Sequence, residues 1–528
     1  MKQEALAAAR ASGTPRHTLW LFLLCLALRA VSFARPCLSD DEATYCVVGR
    51  EMLSGRVLYR DVVDHKPPLI YVTYAVTQAL GGPIGGMIII HLLTALVVFS
   101  TAVLLAFVAR RFTGSAVSPR APFFAALLYV VFTTTLFSFD ALAANCELYM
   151  MLPLVGSVAL YLCGAAEMRL RPSLLAGAGA LVGLAMFYKY QGGIHMALYG
   201  LHSAWLHRRH PWRALAVWVA LGAGCAAVLG LGVAVLVHFD AWRAGWFWFR
   251  FNFAYIRDGM SRSEVVARAV PRISFVVGGA LFLWVLGLGA ALRAMRGRTL
   301  LDESDVAFDR FAVGWLLVSA FAVTAGGRFF GHYFHQITAP LAVLAAPRAA
   351  RLWGARRKLV VAALAVPAAA FFLLGIAQPL VMAVAGQPEP DYAAMAAFIQ
   401  AHSQPDDGLF VWGNLPVLYF DAGRPLGSRF AFANYLTGLS PATRSQFDPS
   451  MDAKANIVPE SWDMLEADLA QRRPRLFVDT SPGDVGHYGK FPPASFPPLQ
   501  TILDRDYRPL GEVAGVRVFE RRPSLLLK

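Results

Sequence analysis

The chain has 528 residues, of which 57% are hydrophobic and only 16% charged, and it carries a formal net charge of +14. That apolar share exceeds the roughly 45–50% of soluble domains, which excludes an ordinary soluble enzyme and marks a polytopic membrane protein. The Lys and Arg surplus sits between apolar runs, where it is a topology signal, so the basic charge is no footprint for nucleic acid.

Runs of near-spanning length number about eleven. They cover Thr18–Ala34, Ile84–Ala109, Ala121–Phe139, Leu148–Ala166, Ser173–Tyr188, Gly193–Leu206, Ala214–His238, Ile273–Leu292, Phe311–Ala325, Tyr333–Ala346 and Leu359–Val384. With eleven spans, one side of the membrane receives Arg10 and Arg16, Arg110 and Arg111, Arg169 and Arg171, Arg208 and Arg209, Arg293, Arg296 and Arg298, and the basic stretch Arg348–Lys358. Lys and Arg resist translocation, so that side is cytoplasmic. The loop 35–83 and everything after Val384 are then external. No small-residue cleavage pattern precedes Asp40, and the first run is expected to be an uncleaved span.

The first external loop holds "LSDDEATYCVVGREMLSGRVLYRDVVDHKPPLIY", Leu38–Tyr71. Ser39 supplies an N-cap hydroxyl and Glu42 completes a capping box for a helix that should stop at Ser54 and Gly55. Capping and the helix dipole account for part of the acidic run. A helix end served by Ser39 and Glu42 does not also need Asp40 and Asp41. Asp41 and Tyr45 lie four apart and share a face. Arg60, Asp61, Asp64, His65 and Lys66 then form a polar return, and "KPPL" opens a new element because Pro is tolerated in a first helical turn. One loop thus contains a carboxylate, Asp41, and a cation, Lys66, that would hold an anionic group.

Further along, "FDALAANCELY" places Asp140, Asn145 and Glu147 at the outer ends of the third and fourth spans, "YKYQGG" places Lys189 there, and "GGRFFGHYFHQ" places Arg328, His332, Tyr333 and Gln336 there. Lys189 could snorkel and Arg328 could pair with a headgroup. Charges at membrane depth are nevertheless costly and functional by default. Together these groups imply an anionic, phosphorylated substrate and acid/base chemistry. His332 and His335 lack a carboxylate partner in their own motif, so no metal is assigned; a divalent ion is the lesser alternative, and no other cofactor is expected. The six cysteines show no zinc-like spacing.

Between the seventh and eighth runs, "AWRAGWFWFRFNFAY" mixes Trp, Phe and Arg below spanning hydrophobicity, which suits the interface plane, as an aromatic anchor or a wall for a lipid tail. After Val384 the composition turns mixed and charged. "PDYAAMAAFIQAHS" is predicted helical with Met395, Phe398 and Ile399 on one face, "DGLFVWG" a strand, "SWDMLEADLAQRRP" a helix and "PRLFVDTS" a strand, with "YRPLGEVAGVRVFERR" closing as a hairpin. Residues 385–528 are therefore expected to form an external α/β domain after a membrane domain 1–384. That domain contains no Gly-rich phosphate loop and no nucleophile elbow, and no chemistry is assigned to it.

The segments "DDEATY", "GREMLSG", "KPPLIY" and "GHYFHQITAPLAVLA", the last preceded by Arg328, resemble the GT-C class of membrane glycosyltransferases. Within it the closest resemblance is to the protein O-mannosyltransferase and lipid A aminoarabinose transferase group, glycosyltransferase family 39. It covers Leu19 to Pro347. The resemblance implies a GT-C fold of about 11 transmembrane helices. It also implies inverting transfer of a sugar from a polyprenyl phosphate donor to a glycolipid, envelope glycan or protein hydroxyl on the external face of the membrane, and the Arg- and Ala-rich composition with its basic cytoplasmic side suits a bacterial inner membrane.

The family's catalytic aspartate falls on Asp41, next to Glu42, and Glu147 occupies the place of a second acid. Tyr45 and Lys66 match donor-phosphate positions, with Arg328, His332 and Lys189 added on the late polar segments. Asp140, Asn145, Tyr333 and Gln336 would stand beside the acceptor or behind the reacting groups. The competing readings are a transporter or flippase of a lipid-linked anion, and an oligosaccharide ligase. Transporters place ionisable groups near the midplane between repeated halves. Here the charges sit at external span ends, and no repeat is visible.

Overall fold

The computed structural model describes residues 15–34, 37–112, 119–135, 139–165, 169–257, 261–297, 306–384, 390–439, 446, 450 and 452–523. Arg10, Arg298 and the stretch 136–138 of the predicted third run lie outside the described residues.

In chain order the helices of the first half are α1 (Pro15–Leu28), α2 (Ala30–Ala34), α3 (Asp40–Leu53), α4 (Leu69–Phe112), α5 (Ala121–Thr134), α6 (Phe139–Leu142), α7 (Cys146–Gly164), α8 (Pro172–Met186), α9 (Ile194–Leu206) and α10 (Pro211–His238). There follow α11 (Trp242–Arg257), α12 (Arg262–Gly279), α13 (Leu281–Met295), α14 (Val306–Thr324), α15 (His335–Ala355), α16 (Arg357–Val384) and α17 (Tyr392–Ala401). The C-terminal part adds the strands β1 (Leu409–Trp412), β2 (Leu476–Asp479), β3 (Tyr507–Val513) and β4 (Val516–Arg521), with α18 (Val417–Ala422), α19 (Asn434–Thr437), α20 (Ser461–Arg472) and α21 (Pro497–Asp506) between them.

Each of the eleven predicted apolar runs falls on helix. Among the described residues, four helical stretches are long and apolar enough to cross a bilayer on their own: Leu69–Arg111, Cys146–Gly164, Pro211–His238 and Arg357–Gly375. The protein is a multi-pass, mostly helical membrane protein. Three runs differ from expectation in detail. The first breaks between α1 and α2 at Arg29, whose buried guanidinium donates to the Leu142 carbonyl. The second begins earlier, at Leu69 directly after "KPP", and kinks at Gly82, whose φ of +66° only glycine adopts without strain. The eighth is broken, since α12 and α13 meet at 97°.

The chain divides into two compact units. The first contains Met1–Leu38, Ile88–Val235 and Val266–Ile376. In it α7 packs on α8, and α15 packs on α5, α13 and α14. The α15 segment is buried from His335 to Pro347, in keeping with a helix apolar on every side.

The second unit joins Ser39–Met87, Leu236–Val265 and Ala377–Lys528. Its sheet has the order β1-β2-β4-β3. The β1 and β2 strands run parallel with Leu409 opposite Leu476, and β2 pairs antiparallel with β4. The predicted hairpin is β3–β4, with an irregularity between Pro509 and Gly511. Both parallel strands are buried throughout, as "LFVW" and "LFVD" require of strands covered on two faces.

The segment from Ser39 to Pro68 is built into this second unit. Val63 donates to the Arg429 carbonyl at 2.9 Å and bridges Phe430 in parallel. Buried Glu51 accepts from the Leu426 amide at 3.0 Å and pairs with Arg56, which donates to the Leu426 carbonyl. Arg50 reaches the carbonyls of Arg424 and Tyr419, and Arg472 reaches that of Asp61. Gly49 lets α3 approach α4, since a Cβ there would meet the Ala75 amide nitrogen at 2.8 Å.

Candidate functional site

In the second unit the local sequence builds the site as expected. Ser39 is extended and its hydroxyl accepts from the Glu42 amide at 3.3 Å, starting α3. Asp41 then projects at the first turn, and its Oδ1 lies 2.5 Å from Lys66 Nζ. The same ammonium sits 4.7 Å from the centroid of the Tyr45 ring. Tyr45 is itself fixed edge-on by Tyr71 and Tyr74, at 5.7 and 5.5 Å. The predicted trio Asp41, Tyr45 and Lys66 is therefore one constellation. Its lysine is largely shielded, and its carboxylate is about a third exposed. Glu42, by contrast, is fully buried.

Lys66 is positioned by groups that the sequence does not announce. Its carbonyl accepts from the Tyr59 hydroxyl at 2.7 Å, and Tyr59 holds a φ of 71°. Behind it, buried Asp64 accepts from the Tyr71 hydroxyl at 2.8 Å, the Tyr435 hydroxyl at 3.1 Å and the His65 amide at 2.7 Å. Burial raises the Asp64 carboxyl, but the charges of His65 and Lys66 and the Tyr71 hydroxyl outweigh it and hold the group well below the usual carboxylate range. Asn252 clasps the His65 carbonyl at 2.8 Å.

The first unit holds a second constellation. Glu147 stands in the first turn of α7 and pairs with Lys189 at 2.8 Å, with only 1% of its side chain exposed. Lys189 Nζ lies 4.8 Å from the Tyr333 ring centroid. His332 Nδ1 is 2.6 Å from Asp140 Oδ2, and its Nε2 is 3.7 Å from Glu147 Oε1. Asn145 donates to both the carbonyl and the carboxylate of Asp140, at 3.0 and 3.3 Å. Burial raises the Asp140 carboxyl and His332 outweighs that, leaving it below its ordinary value. Gln336 donates to Gln191 at 3.2 Å.

Thus Asp140, Asn145, Glu147, Lys189, His332 and Tyr333 form one network. The two histidines of the late motif part company, because His335 Nε2 faces the Ala141 carbonyl at 2.9 Å while His332 finds two carboxylates from a distant segment.

Arg328 is buried between Gly327 and Phe329, both with positive φ, 61° and 51°. For a phenylalanine that conformation is strained, of the kind retained at functional sites. The Arg328 carbonyl accepts from Arg272, whose guanidinium lies 5.2 Å from the Phe330 centroid. Phe330 in turn stacks on His332. Arg272 is missing from the sequence expectation because it stands directly before the eighth run, which begins at Ile273. An Arg four residues after Arg268, in an otherwise apolar segment, is the signal that could have found it. Each constellation holds a lysine beside a carboxylate and against an aromatic face, a chemistry suited to anionic oxygens.

No family model and no curated protein matches the sequence. Among solved structures the chain is similar to ArnT from Cupriavidus metallidurans bound to undecaprenyl phosphate, with a TM-score of 0.58 and 17% identity over 96% of this chain and 98% of that one. It is also similar to the archaeal oligosaccharyltransferase AglB from Archaeoglobus fulgidus in complex with an inhibitory peptide and a dolichol phosphate, with a TM-score of 0.51 and 10% identity over 97% of this chain and 74% of that one. A second structure of the Archaeoglobus fulgidus enzyme, tethered to an acceptor peptide, gives 0.50 at 12% identity. The chain has the GT-C fold of these membrane proteins, with a C-terminal α/β domain.

Proposed function

We propose that the protein is an inverting glycosyltransferase that moves a sugar from a polyprenyl-phosphate-linked donor to an acceptor on the external face of a bacterial inner membrane. The observation that carries the reading is the Asp41–Lys66 pair under the Tyr45 ring in a GT-C chain. The two similar structures hold undecaprenyl phosphate and dolichol phosphate, both polyprenyl phosphates. In this reading residues 1–384 are the transferase domain, with the catalytic loop 35–83, and 385–528 form an extracytoplasmic domain. The N-terminus is cytoplasmic.

Transfer turns a phosphodiester into a phosphomonoester, so negative charge grows on the leaving oxygens. Fixed cations aimed at that charge, in a site poor in water, stabilise the transition state. Lys66 is assigned this role in the second unit, and Lys189, Arg328 and His332 are assigned to anion binding in the first. Asp41 is assigned as the base that takes the acceptor proton. A donor phosphate would compete with Asp41 for Lys66. Donor engagement would then release the carboxylate for the acceptor, coupling the two substrates. Glu42 supports the acidic turn of the second unit, and in the first unit Glu147 is assigned as a second acid, with Asp140, Asn145, Tyr333 and Gln336 beside it as acceptor or supporting groups.

The test is transfer by the purified protein in lipid, using a panel of radiolabelled polyprenyl phosphate sugars and a crude envelope extract. Labelling that disappears in Asp41→Asn, with donor binding retained, supports the reading. Normal turnover by Asp41→Asn would sink the base assignment, and a stable sugar adduct on Asp41 would show retention through a covalent intermediate.

A further inference from the structure

The α11 helix has two faces of different character. Trp242, Trp246, Phe249 and Phe253 recur at helical spacing, the first three stacking in turn with ring centroids 5.8 and 5.2 Å apart and Phe253 meeting Phe249 edge-on at 5.5 Å. Trp242, Trp246 and Phe253 are exposed by 38, 47 and 56%. Arg243 and Arg250 are exposed beside this ladder. The opposite face is packed into the second unit: Trp248 is buried against the Tyr435 ring at 4.8 Å, Phe251 meets His65 and Tyr435, and Asn252 donates to the His65 carbonyl.

Chain continuity says what covers the ladder. Only Phe239, Asp240 and Ala241 separate α11 from the end of α10, a 28-residue apolar span, so α11 starts where the chain leaves the membrane. Exposed apolar groups continue from the end of α10 into α11, at Val235, Val237 and Phe239 and then, past Asp240 and the buried Ala241, at Trp242 and Trp246. A 16-residue helix carrying arginines cannot itself cross, and Trp with Arg is the pairing that favours headgroup depth.

We propose that α11 is a strut docked on the bilayer interface, and that Asn252 on its inner face is a positioning residue that sets the His65–Lys66 turn relative to the lipid surface. The aromatic ladder engages the headgroup region. Because Asn252 holds the carbonyl adjacent to Lys66, docking of the ladder fixes the depth at which the lysine meets a lipid-borne phosphate. This second step rests on the donor reading above; the docking step does not.

The test uses the full-length protein in phosphatidylethanolamine and phosphatidylglycerol vesicles containing lipid brominated either near the headgroup or near the chain end. The Trp242→Phe/Trp246→Phe variant should lose more headgroup-level quenching than two of the twelve tryptophans would carry by share, with no such excess for the deep label. Equal losses for both labels would overturn the docking. In transfer assays Trp242→Ala/Trp246→Ala should raise the donor KM about five- to tenfold in vesicles, leave it at the wild-type value in detergent micelles, and keep kcat. Asn252→Ala should raise KM in both media. An unchanged KM in vesicles for either variant would overturn the coupling. If the wild type transfers no sugar at all, the donor reading fails while the quenching experiment still decides whether α11 docks.

Discussion

The two lysine–carboxylate pairs should respond in opposite ways to loss of the lysine, because their burial differs. In Lys189→Met the Glu147 carboxylate, 1% exposed, loses its 2.8 Å partner and is left with the more distant His332 at 3.7 Å. Stranding a buried charge costs about 3–5 kcal/mol, a large fraction of the roughly 5–15 kcal/mol that holds a domain folded. Removing both charges in Glu147→Gln/Lys189→Met should recover most of that loss. In Lys66→Met the stranded Asp41 is about a third exposed, and a solvent-reaching pair contributes about 0–1 kcal/mol. Stability should hardly move there. Transfer should instead fall by about 10²- to 10³-fold, the usual effect of removing one donor aimed at developing charge. Thermal unfolding in detergent, read beside sugar transfer, separates the cases. Equal losses of Tm in the two lysine variants would refute the burial argument, and wild-type turnover by Lys66→Met would refute the assignment of that lysine to the developing charge.

Three further outcomes follow from the second unit. Tyr435→Phe removes a hydroxyl that serves buried Asp64 and faces His65 Nδ1, and should cost about 1–3 kcal/mol in thermal or denaturant unfolding. Glu51→Ala leaves the Leu426 amide and Arg56 without their shared acceptor, and should expose the Ser39–Met87 segment to limited proteolysis at protease levels the wild type survives. Asp64 carries a depressed folded pKa, so the unfolded chain takes up its proton first on acidification. Its contribution is complete above about pH 4, the unfolded value, and is lost as pH falls toward the folded value. Wild-type stability should therefore decline more steeply than that of Asp64→Asn between about pH 5 and 3; parallel curves would contradict the ion-paired placement.

The sequence exposes whatever is periodic or local. The α3 cap at Ser39, its end at Ser54, the Asp41–Tyr45 face and the start of α4 behind "KPP" all rest on contacts within a few residues, and each is found. The strands "LFVW" and "LFVD" and the closing hairpin were legible from burial pattern and turn chemistry. Partners far apart along the chain were not. His332 looks like half of a histidine pair until Asp140, 192 positions away, supplies its carboxylate. Nothing near Arg50 and Glu51 in "GREMLSG", or Arg56 directly after it, names their partners, yet all three are spent on backbone groups of residues 419–426.

That last set changes how the first loop should be understood. A loop that carried only a catalytic aspartate and a phosphate-binding lysine would be free to move them by ångströms. Here the segment between those two residues is sewn to the α/β domain by Glu51, Arg56, Val63 and Arg472, and the turn before Lys66 is closed by Asp64 on Tyr435. The sequence assigns the α/β domain no chemistry. Several of its polar contacts are instead directed at the loop that carries the proposed Asp41–Lys66 pair, and a site held within a fraction of an ångström needs that kind of support. Its absence from the list of catalytic groups and its grip on the loop are two sides of one arrangement: the domain keeps Asp41 within reach of Lys66.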